Sequence, residues 1–157
     1  MAGYYQFVFG NSATSDITVK YSTDGSTWNN YSEPGWPPSP GNQGSVLSVQ
    51  QNDEIFVWLS GPTGWSMGGA LQVIIARANS AASGQIYSPF SSSVVWMNPA
   101  GSMDGTIWKA SLGRIAQNPG QGQVNKFEIT IAFNATLQGA SGPTYFAEDP
   151  EMDVRGM

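Results

Sequence analysis

Apolar positions in this chain recur mostly at every second residue. Lys126-Phe127-Glu128-Ile129-Thr130-Ile131-Ala132-Phe133 puts Phe127, Ile129, Ile131 and Phe133 on one face, the signature of a half-buried strand. Asp16 to Tyr21 alternates in the same way, and the aromatic-rich Tyr4 to Phe9 reads as an opening strand. The short Gly10 to Ser15 connection makes these first two segments a hairpin. Weaker strand signals lie at Ser45 to Val49, Gln85 to Tyr87, Val94 to Met97, Thr106 to Ser111 and Thr144 to Phe146. No segment of helical length carries a 3.6-residue apolar stripe, and Ala76 to Ala82 is long enough for one helical turn. The pattern predicts one all-β domain over residues 1–157, an antiparallel β-sandwich of jelly-roll or immunoglobulin-like type with about eight or nine strands.

Two segments break the alternation. Glu54 to Leu59 is apolar on both faces, and Ala70 to Ala76 is nearly so. A strand with two apolar faces needs cover on both sides. In a two-layer sandwich the outer cover is either a loop or a second subunit, and exposed apolar patches mark interfaces. Phe56, Trp58, Leu71, Val73 and Ile75 are therefore the candidate subunit interface.

Gly/Pro-rich connections carry the remaining aromatic signal. Thr23-Asp24-Gly25-Ser26 is a hairpin-turn signal followed by Trp28 and Tyr31. Glu33 to Gly41 is a Pro-rich loop containing Trp36, and Ser60 to Gly69 is a Gly-rich loop containing Trp65. Aromatics on loops either stack on a sugar or anchor an interface, or they cap the end of the sandwich. Trp28, Tyr31, Trp36 and Trp65 are the candidate ligand or interface residues, while Trp58, Trp96 and Trp108 read as core. Trp58 and Trp65 bracket the same loop, so those two roles are exchangeable.

Composition removes much of the chemistry. With no His and no Cys, the common general base, the Ser-His and Cys-His nucleophilic systems, disulfides and the usual zinc, haem and copper ligands are all missing. No enzymatic activity and no cofactor are expected. Six Lys and Arg oppose eleven Asp and Glu, a net charge of -5, and the cations Lys20, Arg77, Lys109, Arg114, Lys126 and Arg155 are scattered. Nucleic-acid binding needs a basic patch, so it is not expected, and anionic lipid is disfavoured for the same reason. The Gly-rich stretch at 61–69 lacks the Lys and Ser/Thr of a phosphate loop. Eleven acids offer many pairs for glycoside hydrolysis, so the pattern singles out none. The cluster Glu148, Asp149, Glu151 and Asp153 offers hard oxygen ligands for calcium without an EF-hand pattern, and otherwise reads as a solvated turn before a last strand. The opening residues Met1 to Gln6 have neither a charged n-region nor a long apolar h-region. With the lack of Cys, this favours the cytoplasm.

The second half of the chain carries a series of local motifs in a fixed order. Gln51-Asn52-Asp53-Glu54-Ile55-Phe56-Val57-Trp58 opens a strand, and Gly84-Gln85-Ile86-Tyr87-Ser88-Pro89, Thr106-Ile107-Trp108-Lys109-Ala110, the Pro119-Gly120 turn and the strand from Lys126 to Phe133 follow. The close is Tyr145-Phe146-Ala147-Glu148-Asp149-Pro150-Glu151-Met152-Asp153-Val154, an aromatic-x-x-Asp-Pro-x-apolar-x-Val pattern. In these motifs and their order, residues 46–154 resemble the AidA/PixA family of bacterial inclusion-body proteins, with Asn52 in place of the Gly of a family strand opened by Gly-Asp and with the close as the most specific part. The resemblance implies a cytoplasmic, non-enzymatic β-sandwich of a host-associated bacterium that self-associates or forms inclusions, with itself as partner. It carries over no catalytic residues. Two alternatives from the loop aromatics stay open: a carbohydrate-binding module or lectin, and a membrane-active β-sandwich toxin that inserts aromatic loops into lipid.

Overall fold

The computed structural model describes the backbone of residues 1–157 except 13, 15, 36–38, 63, 69–71, 79–87, 92–93, 98–99 and 103–107, and side chains outside 67–87 and 92–108 as well. The described chain is all β. Its strands are β1 (Ala2–Val8), β2 (Thr18–Ser22), β3 (Asn29–Asn30), β4 (Leu47–Gln50), β5 (Glu54–Ser60), β6 (Trp65–Gly68), β7 (Gln72–Ala78), β8 (Val94–Met97), β9 (Ala100–Ser102), β10 (Trp108–Arg114), β11 (Val124–Leu137), β12 (Thr144–Glu148) and β13 (Glu151–Arg155). Among the described residues no helix is long and apolar enough to cross a membrane.

The strands form two sheets. The smaller runs β10-β5-β1-β2-β3, and β1 and β2 make the expected antiparallel pair. The larger is built around β11, whose 14 residues are twice the length of β1 or β5. One edge of β11 carries β12 along Ile131–Ala135 and β13 along Val124–Glu128. The other carries β7 along Phe127–Ala132 and β6 along Ala135–Leu137. Asp149 and Pro150 break the first of these edges. Proline cannot donate to a ladder, and here the Pro150 carbonyl accepts from the Ile129 N–H at 3.0 Å.

Inner faces supply the core. Tyr5, Phe7, Ile55, Val57, Leu59 and Leu112 from the smaller sheet meet Leu47, Val49, Phe127, Ile129, Ile131, Phe133, Met152 and Val154 from the larger. Two backbone devices keep these faces in phase. At Gly3 a Cβ would lie 2.9 Å from Val49 and 3.0 Å from Leu47 of the facing sheet, so only glycine fits between the layers. On β10 the register against β5 shifts between Ser111 and Gly113, whose φ is 100°. That extra residue lets both Leu112 and Ile115 point inward.

The sandwich departs from expectation in two ways. β1 pairs parallel with β5, and β4 parallel with β13, so both sheets are mixed. A period-2 pattern fixes the face of each side chain but is blind to the direction of the neighbouring strand. There are also more strands than eight or nine, because the long edges of β11 are each covered in two pieces and β3 and β9 are too short to show a period. Ala76 to Ala78, expected to begin a helical turn, continue β7. The remainder of that turn and the strand at Gln85 to Tyr87 lie outside the described residues.

Candidate functional site

Alternation along β5 sends Ile55, Val57 and Leu59 inward and leaves Phe56 and Trp58 half-buried on the outer face of the smaller sheet. β1 runs parallel beside it, so Tyr4 falls directly opposite Phe56 and Gln6 opposite Trp58. The Tyr4 and Phe56 rings stack at 5.2 Å with 17° between planes, and Tyr4 meets Trp58 edge-on at 5.5 Å. On the other side of β5, Lys109 lies opposite Trp58 and its Nζ sits 4.1 Å from the ring centroid, a cation–π contact.

The turn between β2 and β3 completes this layer. One Asp24 carboxylate oxygen accepts from the Ser26 N–H at 2.7 Å, the Thr27 N–H at 2.7 Å and the Ser22 hydroxyl at 2.9 Å. The backbone donors of Thr27 and Ser26, followed by the Ser22 hydroxyl, hold this carboxyl far below the usual range. Gly25, at φ 74°, lies flat on Tyr4: a Cβ there would come 3.2 Å from the ring. The loop thereby returns Trp28 to the same face, where its ring is 5.1 Å from Trp58 and 6.4 Å from Tyr4. Polar groups frame the cluster. Gln6 donates to Ser60 Oγ at 3.1 Å, and Ser111 donates to Glu54 at 2.9 Å.

Of the described loop aromatics proposed from sequence, Trp28 joins this site, and Tyr31 and Trp65 do not. Trp65 is 1% exposed, packed between Phe9 (5.1 Å) and Phe146 (5.8 Å), and its Nε1–H donates to the Gly10 carbonyl at 3.0 Å. It is a core residue closing one end of the sandwich, and Trp58, read as core, is the residue on the face. Trp58, expected both in the core and among the interface candidates, has the outer position, and Trp65, expected on a loop, has the core one. Tyr31 turns to the larger sheet: its hydroxyl oxygen accepts from the Glu151 N–H at 2.9 Å, and Tyr5 donates to the Glu151 carbonyl at 3.1 Å. Burial pushes both phenols up. Trp36 and Leu71 lie outside the described residues. Val73 and Ile75 are placed by backbone only, on β7 opposite Ala132 and Thr130 of β11, away from the aromatic layer's sheet. Sequence reasoning missed Tyr4 and Lys109. The outward phase of Tyr4 was available from the inward set Tyr5, Phe7 and Phe9, but Lys109 depended on knowing that β10 borders β5.

The C-terminal acids do not converge. Asp153 pairs with Lys126 at 3.1 Å, and Glu151 begins the strand clasped by the two tyrosines. Glu148 is held up by burial, then by Asp149 and Asp16. Among the described residues no three acidic side chains gather as a metal site would require. Asn52, standing where the resembled family has glycine, has φ 73°, a left-handed conformation that asparagine tolerates and glycine adopts freely. Comparison with protein-family models, with curated proteins and with solved structures finds no match in any of the three.

Proposed function

We propose that this protein is a non-catalytic β-sandwich that associates with copies of itself in the cytoplasm, as inclusion-body proteins of the AidA/PixA type do, and that the outer aromatic face of the smaller sheet is the contact. The observation that carries this reading is the layer of Tyr4, Trp28, Phe56 and Trp58 on a sheet face where a soluble sandwich normally presents polar residues. Aromatics at the centre of a patch with a polar rim are the common anatomy of an interface. The rings pack on one another and are all half-buried, so this face leaves little open area beside the roughly 800 Å² per partner of a stable interface. Contact through this face is accordingly weak and concentration-dependent. Low charge, 11% of residues, lessens repulsion between copies.

Trp58→Glu tests it. The new carboxylate would face Lys109 across the strand pair, so the monomer keeps a partner there while the face turns polar. The variant is expected to show clearly less concentration-dependent mass growth than the wild type. Unchanged growth would rule out this face.

A carbohydrate-binding reading draws on the same face, because Gln6, Ser60 and Lys109 place hydrogen-bonding groups beside the rings. Sugar stacking needs a free ring face. Trp58 has Lys109 over it, and Phe56 has Tyr4, which is why self-association is preferred. Glycan-array binding abolished by Trp28→Ala would reverse that order.

A further inference from the structure

A single self-complementary interface closes a dimer and stops there; growth into large particles needs a second, different contact. We propose that the edge of β12 away from β11, which makes no backbone hydrogen bond to any described residue, is that second contact, adding antiparallel to β12 of another copy so that the larger sheet runs through both molecules. The inference rests on the self-association reading above but uses a different surface.

β12 pairs with β11 from Thr144 to Glu148, and among the described residues its other edge makes no backbone hydrogen bond. The neighbouring β13 is not open in this way, because β4 covers it from Met152 to Arg155. An open edge is usually defended by a bulge, a lysine, a proline or shortness. The smaller sheet shows such defences: β10 has its bulge before Gly113 with Lys109 and Arg114 on the strand, and β3 has two residues. β12 reads Thr-Tyr-Phe-Ala-Glu over five paired residues, with no proline, lysine or bulge. Its outward face carries Tyr145, 77% exposed, and the exposed Ala147.

The edge is also complementary to itself. Antiparallel pairing centred on Phe146 sets Tyr145 against the partner's Ala147, a large ring beside a methyl group. It sets Thr144 against the partner's Glu148, a hydroxyl donor beside a carboxylate. The strand's one charge never meets its own copy, so like-charge repulsion across the pair is avoided. These pairings, repeated on both sides of the two-fold axis, favour a second copy over a foreign strand.

The test is a charge swap on the outward face, where neither side chain serves the core. Tyr145→Lys with Ala147→Lys sets lysine against lysine across the edge; Tyr145→Glu with Ala147→Glu does the same with carboxylates. Molar mass is read by light scattering at a concentration where the wild type exceeds twice its 16.7 kDa. Each double variant alone should stop at the dimer, and an equimolar mixture of the two should regain growth, which unfolding could not mimic. Adding Trp58→Glu to either should leave monomer. Wild-type-like growth of either variant alone, or a mixture that fails to recover, overturns the edge contact while leaving the aromatic face standing. A wild type that is monomeric at every concentration overturns both.

Discussion

Trp65 and Trp58 bracket one loop, and the structure assigns them opposite duties that stability measurements can separate. Trp65→Phe removes the indole N–H that satisfies the Gly10 carbonyl and part of a ring that is 1% exposed. The lost hydrogen bond costs about 1 kcal/mol. The unfilled space between Phe9 and Phe146 adds roughly 1–2 kcal/mol by the cavity argument, for a loss of about 2–3 kcal/mol. Trp65→Ala would cost about 3–5 kcal/mol, a large share of the 5–15 kcal/mol by which domains are usually stable. Trp58→Phe keeps a ring in the outer layer and gives up mainly the Lys109 contact, worth about 0.5–1 kcal/mol at an exposed site. Guanidinium unfolding followed by far-ultraviolet circular dichroism gives both numbers without relying on the fluorophore being removed. Equal losses, or a larger loss for Trp58→Phe, would refute the assignment of Trp65 to the core and Trp58 to the face.

Other consequences are as direct. Gly3→Ala forces a methyl group against Val49, Leu47 and Ile55, and should lower stability by about 1–3 kcal/mol in the same assay. Asp24→Ala removes the acceptor for Ser26, Thr27 and Ser22; Trp28 should leave the layer, seen as red-shifted fluorescence and weaker self-association, while Asp24→Asn, which keeps an acceptor oxygen, should retain most of both. Glu148 is raised from its ordinary 4.5, so the folded chain holds that proton more tightly than the unfolded chain does. Its contribution to stability is therefore greatest below that value and is lost as the pH rises through the raised one. Melting temperatures recorded from about pH 4 to about pH 7 should show Glu148→Gln gaining on the wild type toward the upper end, and parallel curves would count against the burial of Glu148.

Much of the fold was legible because alternation is a local property. Phe127, Ile129, Ile131 and Phe133 declared one face of β11, and all four are buried. The two-sided apolar character of β5 was legible for the same reason, and its outer residues Phe56 and Trp58 do form a patch. The patch itself was not legible in full. Its other members come from β1, from the Asp24 turn and from β10, and their neighbours follow from parallel pairing and a bulge that alternation does not encode. Tyr31 and Trp65 misled because proximity to Gly and Pro signals a loop in sequence but says nothing about whether the side chain folds back. Tyr31 reaches across to the backbone of Glu151, and Trp65 begins a strand and closes the core.

Whether copies of this chain meet through the aromatic face is decided by molar mass, measured by size-exclusion chromatography with light scattering over a concentration series. Wild type should rise from 16.7 kDa toward and beyond the dimer, with Trp58→Glu at clearly smaller mass at the concentrations where the wild type exceeds the dimer. A wild type that stays at monomer mass throughout, or a Trp58→Glu series that overlays it, would contradict the account.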